Sequence, residues 1–128
     1  MILLDTHAWI WWVHDPNRFS PKALKAIEAA EALGVSIISC WEVAILVGKG
    51  RLGLNIDLDE WIQRALDFDK IVPIDLNPKI LILSTRLPGN LHSDPADHII
   101  VATAKTHSCP LLTKDSKLIE YPHIETIW

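Results

Sequence analysis

The apolar residues of this chain fall into short unbroken runs, separated by longer stretches in which they recur every three or four positions. Ile2-Leu3-Leu4, Val35-Ser36-Ile37-Ile38, Ile71-Val72-Pro73-Ile74 and Pro110-Leu111-Leu112-Thr113 have the length and branching of strands buried on both faces. Pro73 puts the third run at a sheet edge, where a missing N–H does least harm. His123 to Trp128 alternates and reads as a final strand. Between these runs the spacing predicts helices. Residues 8–14 are apolar nearly all round and form a short one, broken by Asp15-Pro16-Asn17. Ser20-Pro21 supplies a cap and a first-turn proline for a helix to about Ala32, which Gly34 ends. Ser39-Cys40-Trp41-Glu42 opens a helix to about Gly48, followed by a loop through Gly53. Asp57 to Asp67 carries Leu58, Trp61, Ile62, Ala65 and Leu66 on one face. Pro78 to Leu87 is a helix stopped by Pro88-Gly89-Asn90, Asp94 opens one to about His107, and Ser116 to Glu120 makes a short last one.

Strands alternating with helices in the order β-α-α-β-α-α-β-α-α-β-(α)-β predict an α/β fold of three layers, with helices on both faces of a mostly parallel central sheet. At 128 residues, a single domain over 1–128 is expected, and a 49% hydrophobic content can fill its core without disulfides. In open α/β sheets, ligands bind beyond the carboxyl ends of the strands, so that edge is where chemistry is sought.

Charge and cysteine usage narrow the classes. A net charge of −4 argues against a general nucleic-acid binder, but not against a nuclease whose carboxylates are offset by bound metal. Cys40 and Cys109 lie far apart, and Met1-Ile2-Leu3-Leu4 runs straight into Asp5 with neither a basic start nor a cleavage site. A reducing cytoplasm with both thiols free is therefore expected. No apolar run approaches the roughly 20 residues that span a bilayer.

Four acids stand where strands end or following helices begin. Asp5 ends the first strand, Glu42 lies in the first turn after the second, Asp97 lies in a first turn, and Asp115 follows the fourth strand. Each also has a purely structural reading. Ser39-x-x-Glu42 fits a capping box, Asp94-Pro95-Ala96-Asp97 fits an N-cap with an acid in the first turn, and Asp115 fits a turn or cap. Asp5 is the hardest to dismiss, because it adjoins the core and the first Lys or Arg in the chain is Arg18. Carboxylates meeting without cations repel by about 4 kcal/mol per pair at 4 Å and an effective dielectric of 20. Divalent metal is the ordinary remedy, and an all-oxygen set suits Mg²⁺ or Mn²⁺ rather than zinc. The histidines show no helical metalloprotease pairing; His7 and His98 flank acids but read as structural or surface residues. There is no phosphate-cradling loop and no Gly-x-Ser-x-Gly elbow.

Asp5-Thr6-His7, Ser39-x-x-Glu42, Asp94-Pro95-x-Asp97-x-Ile99-Ile100-x-Ala102 and Leu112-Thr113-x-Asp115 together resemble the PIN-domain nucleases, and most of all the VapC toxins of toxin–antitoxin pairs. The resemblance covers the full length, with the motifs in the family's order. It implies a Mg²⁺- or Mn²⁺-dependent endoribonuclease in which Asp5, Glu42, Asp97 and Asp115 form the catalytic and metal-holding set, with Asp94 an additional acid. Thr6, Ser39 and Thr113 match small hydroxyl residues that orient carboxylates or water. It also implies a homodimer held inactive by a small antitoxin of VapB type. Two positions depart from the pattern: Leu46 stands where a lysine often follows the second acid, and His98 where a basic residue often follows the third.

Lys49, Arg51, Lys114 and Lys117 lie near the second and fourth acid motifs and are the expected contacts to RNA phosphates. Trp9, Trp11 and Trp12 crowd one short helix, over too wide an arc to face one core, so at least one is expected to point outward as an interface anchor. Three other readings share parts of this pattern. A DNA-directed nuclease of related fold would share the acids. A receiver-type phosphotransfer domain would need an Asp and a late Lys, for which Asp75 and Lys114 fit poorly. A non-catalytic binding module would need no metal.

Overall fold

The computed structural model describes residues 1–128. Its strands are β1 (Ile2–Leu4), β2 (Leu33–Ser36), β3 (Ile71–Ile74), β4 (Leu111–Leu112) and β5 (Thr126–Ile127). Its helices are α1 (Thr6–His14), α2 (Pro21–Ala29), α3 (Ile38–Gly48), α4 (Leu58–Leu66), α5 (Pro78–Ser84), α6 (Pro95–Thr106) and α7 (Ser116–Ile119). The strands lie in the order β3-β2-β1-β4-β5, every neighbouring pair parallel. The expected three-layer α/β/α architecture is present, with a wholly parallel sheet.

β1 is central, and its successive side chains enter opposite cores. Ile2 and Leu4 join Leu33, Val35 and Leu112 under Trp9 of α1, Ile27 of α2 and Trp61 of α4. Leu3 and Leu111 enter the other core, with Ile100 and Ala104 of α6 and Leu118 of α7. Burying one such side chain contributes about 1.5–3 kcal/mol, so even a three-residue strand is firmly held when both of its faces are covered. β3 is the outermost strand on its side, as Pro73 implies.

The boundaries differ from the pattern in ways with local causes. β2 starts at Leu33, not Val35, so Gly34 lies inside the strand rather than ending α2. A Cβ there would stand 2.7 Å from Ile74 Cδ1 and 3.2 Å from Met1 Sδ, so the absent side chain is space that these neighbours fill. α2 stops at Ala29, short of Ala32, because Lys70 closes it. The Lys70 ammonium donates to the carbonyls of Ile27, Glu28 and Ala30 at 3.1, 3.0 and 3.0 Å. Lys70 itself is left-handed, at φ 66°, and its own carbonyl accepts from Leu33 N–H at 2.8 Å. One residue thus ends α2, starts β2 and leads into β3. α5 stops at Ser84, not Leu87; the hydroxyls of Ser84 and Thr85 donate to the Leu81 and Ile82 carbonyls.

Of the three tryptophans on α1, Trp9 is buried while Trp11 and Trp12 are half-buried, so none stands fully outward. Trp9 is fully buried against Trp61 and donates to the Ala65 carbonyl at 3.1 Å. Trp12 donates to the Asp69 carbonyl and meets Phe19 and Phe68 edge-on or tilted. Trp11 packs against Phe19 and Trp128. The arc is as wide as expected, but α4, the segments after α1 and α4, and the C-terminal Trp128 cover most of it and leave Trp11 partly accessible. The exposed tryptophan is Trp41 on α3, at 54%.

Lys70→Met keeps the stem and removes the three donated hydrogen bonds. It is expected to cost about 1.5–3 kcal/mol in urea denaturation, the range for a hydrogen bond to a charged group. No loss of stability would show that solvent satisfies the α2 terminus unaided.

Candidate active site

Parallel strands bring all their carboxyl ends to one edge, and the register there aligns Leu4 with Val35 on one side and with Leu112 on the other. Asp5 and Thr113 therefore emerge side by side. Asp5 is only 7% exposed and caps α1: one carboxylate oxygen accepts from Ala8 N–H at 2.8 Å, the other from the Thr113 hydroxyl. The Thr113 hydroxyl in turn accepts from Asp115 N–H at 3.1 Å, and Asp115 caps α7 by accepting from Lys117 N–H at 2.9 Å.

Glu42 is not in a capping box. Its Oε1 lies 2.5 Å from the Thr6 hydroxyl, which lies 2.8 Å from the Ser39 hydroxyl. Thr6 has one hydroxyl proton, and an ionised carboxylate is the stronger acceptor, so Thr6 donates to Glu42 and Ser39 donates to Thr6. The start of α3 is served instead by the Ser36 hydroxyl, which accepts from Ile38 N–H.

Asp94 caps α6 through Ala96 N–H at 3.0 Å and Asp97 N–H at 3.4 Å. Asp97 projects from the first turn and is held at 2.6 Å by His92 Nε2. With its proton on Nε2, His92 leaves Nδ1 as a buried nitrogen without a partner. The donor atoms of His92, Asp94 and Asp97 lie within 4.8 Å of one another.

These acids share one cavity of ≈ 390 Å³, lined by Asp5, Thr6, His7, Trp11, Glu42, Asp94, Asp97, Lys114 and Asp115. No Lys or Arg nitrogen comes within 4.0 Å of any of its acids; the ion pairs of the chain are Arg18–Asp15, Arg64–Glu60 and His92–Asp97. The cost shows in the titration of Asp5, Glu42 and Asp97. Burial pushes Asp5 up to about 6, against the pull of the Thr113 and Ala8 bonds. Burial pushes Glu42 up to about 7, and the charges of Asp97, Asp94 and Asp5 add to the rise. Asp97 is also raised, first by burial and then by Asp94 and Asp115, against the pull of His92. A crowd of oxygen donors, each oriented by a neighbour and together lacking a counter-charge, fits a divalent cation.

All four acids expected from the sequence meet here, with Asp94 and Thr6 also in the lining, while Ser39 and Thr113 act from behind it. The basic residues divide. Lys114 lines the cavity, with its ammonium 5.9 Å from the Trp128 ring centre. Arg51 lines an adjoining cleft, and the exposed Lys49 and Lys117 line neither. His7 lines both spaces, whereas His98 is pinned between the Ser84 and His92 carbonyls, as a structural histidine would be. Sequence reasoning missed His92. No spacing rule joins it to Asp97, because the turn between them brings it back.

The PIN domain family matches residues 2–124. Ribonuclease VapC22 of Mycobacterium tuberculosis is 37% identical over 129 aligned positions, covering 99% of this chain and 98% of that protein. Among solved structures, VapBC2 from Rickettsia felis bound to a promoter DNA fragment is similar at a TM-score of 0.69 and 19% identity, covering 98% of this chain and 97% of that one. A toxin–antitoxin complex from Klebsiella pneumoniae is similar at 0.66 and 23% identity, covering 95% and 93%. These two likenesses bear on the fold.

Raised carboxyl groups make the metal-free protein sensitive to base. Relative to an unfolded chain titrating at 3.8, the stability that protonated Asp5 contributes is full below about pH 4 and lost as pH rises through about 6; Glu42 extends the loss to about 7. Asp5→Asn carries no charge. In EDTA it is expected to be about 1–3 kcal/mol more stable than the parent at pH 8, and no more stable at pH 4. Urea denaturation at the two pH values measures this; a variant weaker than the parent at pH 8 contradicts it.

Proposed function

The chain belongs to the PIN-domain family, and within it to the VapC proteins; from that membership we propose that it is a metal-dependent endoribonuclease and the toxin of a toxin–antitoxin pair. The observation that carries the reading is the convergence of Asp5, Glu42, Asp97 and Asp115 in one cavity without a lysine or arginine partner. Carboxylate oxygens suit Mg²⁺ or Mn²⁺, with Asp5 and Asp97 as direct ligands and Glu42 and Asp115 positioning water or completing a second site. When bound, the ion supplies acidity to a water and neutralises charge on the phosphoryl oxygens.

The chain's own residues do the rest. Thr113 and the Ala8 amide fix Asp5, His92 fixes one oxygen of Asp97, and Asp94 anchors the helix that carries Asp97. Glu42 has Oε1 engaged by Thr6, which leaves Oε2 to orient the attacking water. In-line attack on phosphorus leaves a 5′-phosphate and a 3′-hydroxyl. Lys114 at the cavity and Arg51 beside it meet the RNA backbone, with Lys49 and Lys117 further along its path.

The ribonuclease reading is supported by the relative in Mycobacterium tuberculosis, and an antitoxin partner of VapB type by the similar complexes from Klebsiella pneumoniae and Rickettsia felis. No helix is long and apolar enough to cross a membrane, and cytoplasmic action on cellular RNA is the reading that fits. Exposed Trp41 on α3 and Leu81 and Ile82 on α5 offer apolar surface for a homodimer or for the antitoxin.

Purified protein is expected to cleave total RNA with Mg²⁺ or Mn²⁺ and to stop in excess EDTA. Asp5→Asn and Asp97→Asn should each lower the rate at least about 100-fold, the scale of losing a group that stabilises transition-state charge. Full activity in either variant or in EDTA would end the assignment, and cleavage of DNA in preference to RNA would move it to a DNA-directed nuclease. Light scattering is expected to report a dimer at micromolar concentration, and expression alone should arrest growth until the antitoxin is supplied. A monomer with no effect on growth would remove the toxin reading.

A further inference from the structure

Beside the acid cavity lies a second cleft of ≈ 380 Å³, and His7 and Trp11 line both. The chemistry of the two is opposite. The cavity sets five carboxylates against Lys114; the cleft sets Arg18 and Arg51 against Asp15, with the rings of His7 and His14 beside them. Arg18 Nε pairs with Asp15 at 3.5 Å, but both side chains are at least half exposed, where such a pair is worth little and is readily exchanged. The Arg18 guanidinium stands 5.6 Å from the Trp11 ring centre, so a planar phosphate-binding fork and a flat aromatic surface are brought together. The wall is braced from behind, since Trp11 packs edge-on against Trp128 and Phe19. His14 is set too. The Trp61 indole only donates, so His14 Nε2 accepts from it at 2.7 Å, and the neutral ring carries its N–H on Nδ1.

A phosphate chain entering the cavity meets repulsion wherever a cation does not cancel it, so its affinity must come from adjacent ground. The cleft supplies what a single strand of nucleic acid binds by: cations for the backbone and a ring for a base. Resting on the ribonuclease reading above, we infer that this cleft is the subsite for the nucleotide flanking the scissile bond of single-stranded RNA, with its phosphate on Arg18 and Arg51, its base against Trp11, and His7 at the boundary with the cavity. An acidic peptide could use the arginines, but it does not need the cleft to share His7 and Trp11 with the acid cavity; a polynucleotide under cleavage must occupy both spaces at once.

The test uses the full chain in EDTA, so that binding is read apart from cleavage, with an end-labelled dodecamer of randomised single-stranded RNA as probe. The double variant Arg18→Gln/Arg51→Gln is expected to weaken binding about tenfold and to lower the slope of log K against log salt by about 1.4, two phosphates' worth for a single strand. Trp11→Leu should weaken binding about tenfold with the slope unchanged. Arg64→Gln, an exposed residue paired with Glu60 on α4, is the control and should change neither. Thermal melts check folding; if Trp11→Leu melts early, the exposed arginine pair carries the test by itself. Parental affinity and slope in the arginine variant overturn the proposal. So does parental RNA binding combined with loss of a co-expressed antitoxin, which would assign the cleft to a protein partner. Failure of the parent to cleave RNA in Mn²⁺ sinks the nuclease reading, while RNA affinity that still depends on the two arginines supports the subsite.

Discussion

Asp5 ends the central strand almost wholly out of solvent, with no lysine or arginine nitrogen within 4.0 Å, and the acid-bearing end of the molecule is arranged around what that requires. A buried carboxylate without a cation has to be satisfied by neutral donors. One donor is the backbone of α1, which is why the helix starts immediately after the strand. The other is Thr113, which the parallel register of β1 and β4 places alongside. Thr6, the next residue, holds Glu42, and Thr113 also holds the amide of Asp115. Two adjacent residues at the tip of β1 thus tie α1, α3, β4 and α7 into one polar network. The network satisfies hydrogen bonds, but burial and the uncancelled charge of neighbouring acids still push Asp5 and Glu42 up.

For Asp5, Asp94 and Asp115, structural and chemical roles are not alternatives. Each caps a helix and each faces the shared cavity. A carboxylate has lone pairs beyond those a cap consumes, so an N-terminal acid can be locked by its own helix and still offer oxygen to a cation. Rigidity gained this way needs no additional side chains, which suits a chain of 128 residues. Glu42 and Asp97 are the exceptions: the Thr6 hydroxyl holds the one and His92 the other, neither by a helix terminus.

Much of this was legible in the sequence, because runs buried on both faces are hard to disguise. The β1, β3 and α6 boundaries agree with the pattern to within a residue, and Pro73 marked the edge. The acids were found because strand ends in a parallel sheet point one way, which turns scattered positions into neighbours. What stayed hidden depended on partners distant in sequence. Lys70 cuts α2 short from across the sheet, and Ile74 fills the space that makes Gly34 a strand residue. His92 reaches Asp97 only because of a turn that no periodicity encodes. The crowding of tryptophans on α1 was visible, but their cover came from Phe68, Trp61 and Trp128 in other segments.

Pro73 has a further consequence, for how copies of this chain can meet. In β3, Lys70 and Ile74 give their carbonyls to β2, so the alternate position, Pro73, directs its backbone nitrogen away from the sheet. That nitrogen carries no hydrogen. An incoming strand laid along β3 would find the ladder broken at its middle rung, and β5, only two residues long, offers little more on the far side. Growth by sheet extension is disfavoured at both margins. Contacts between molecules are left to helices and side chains, whose geometry can be limited to a defined number of copies.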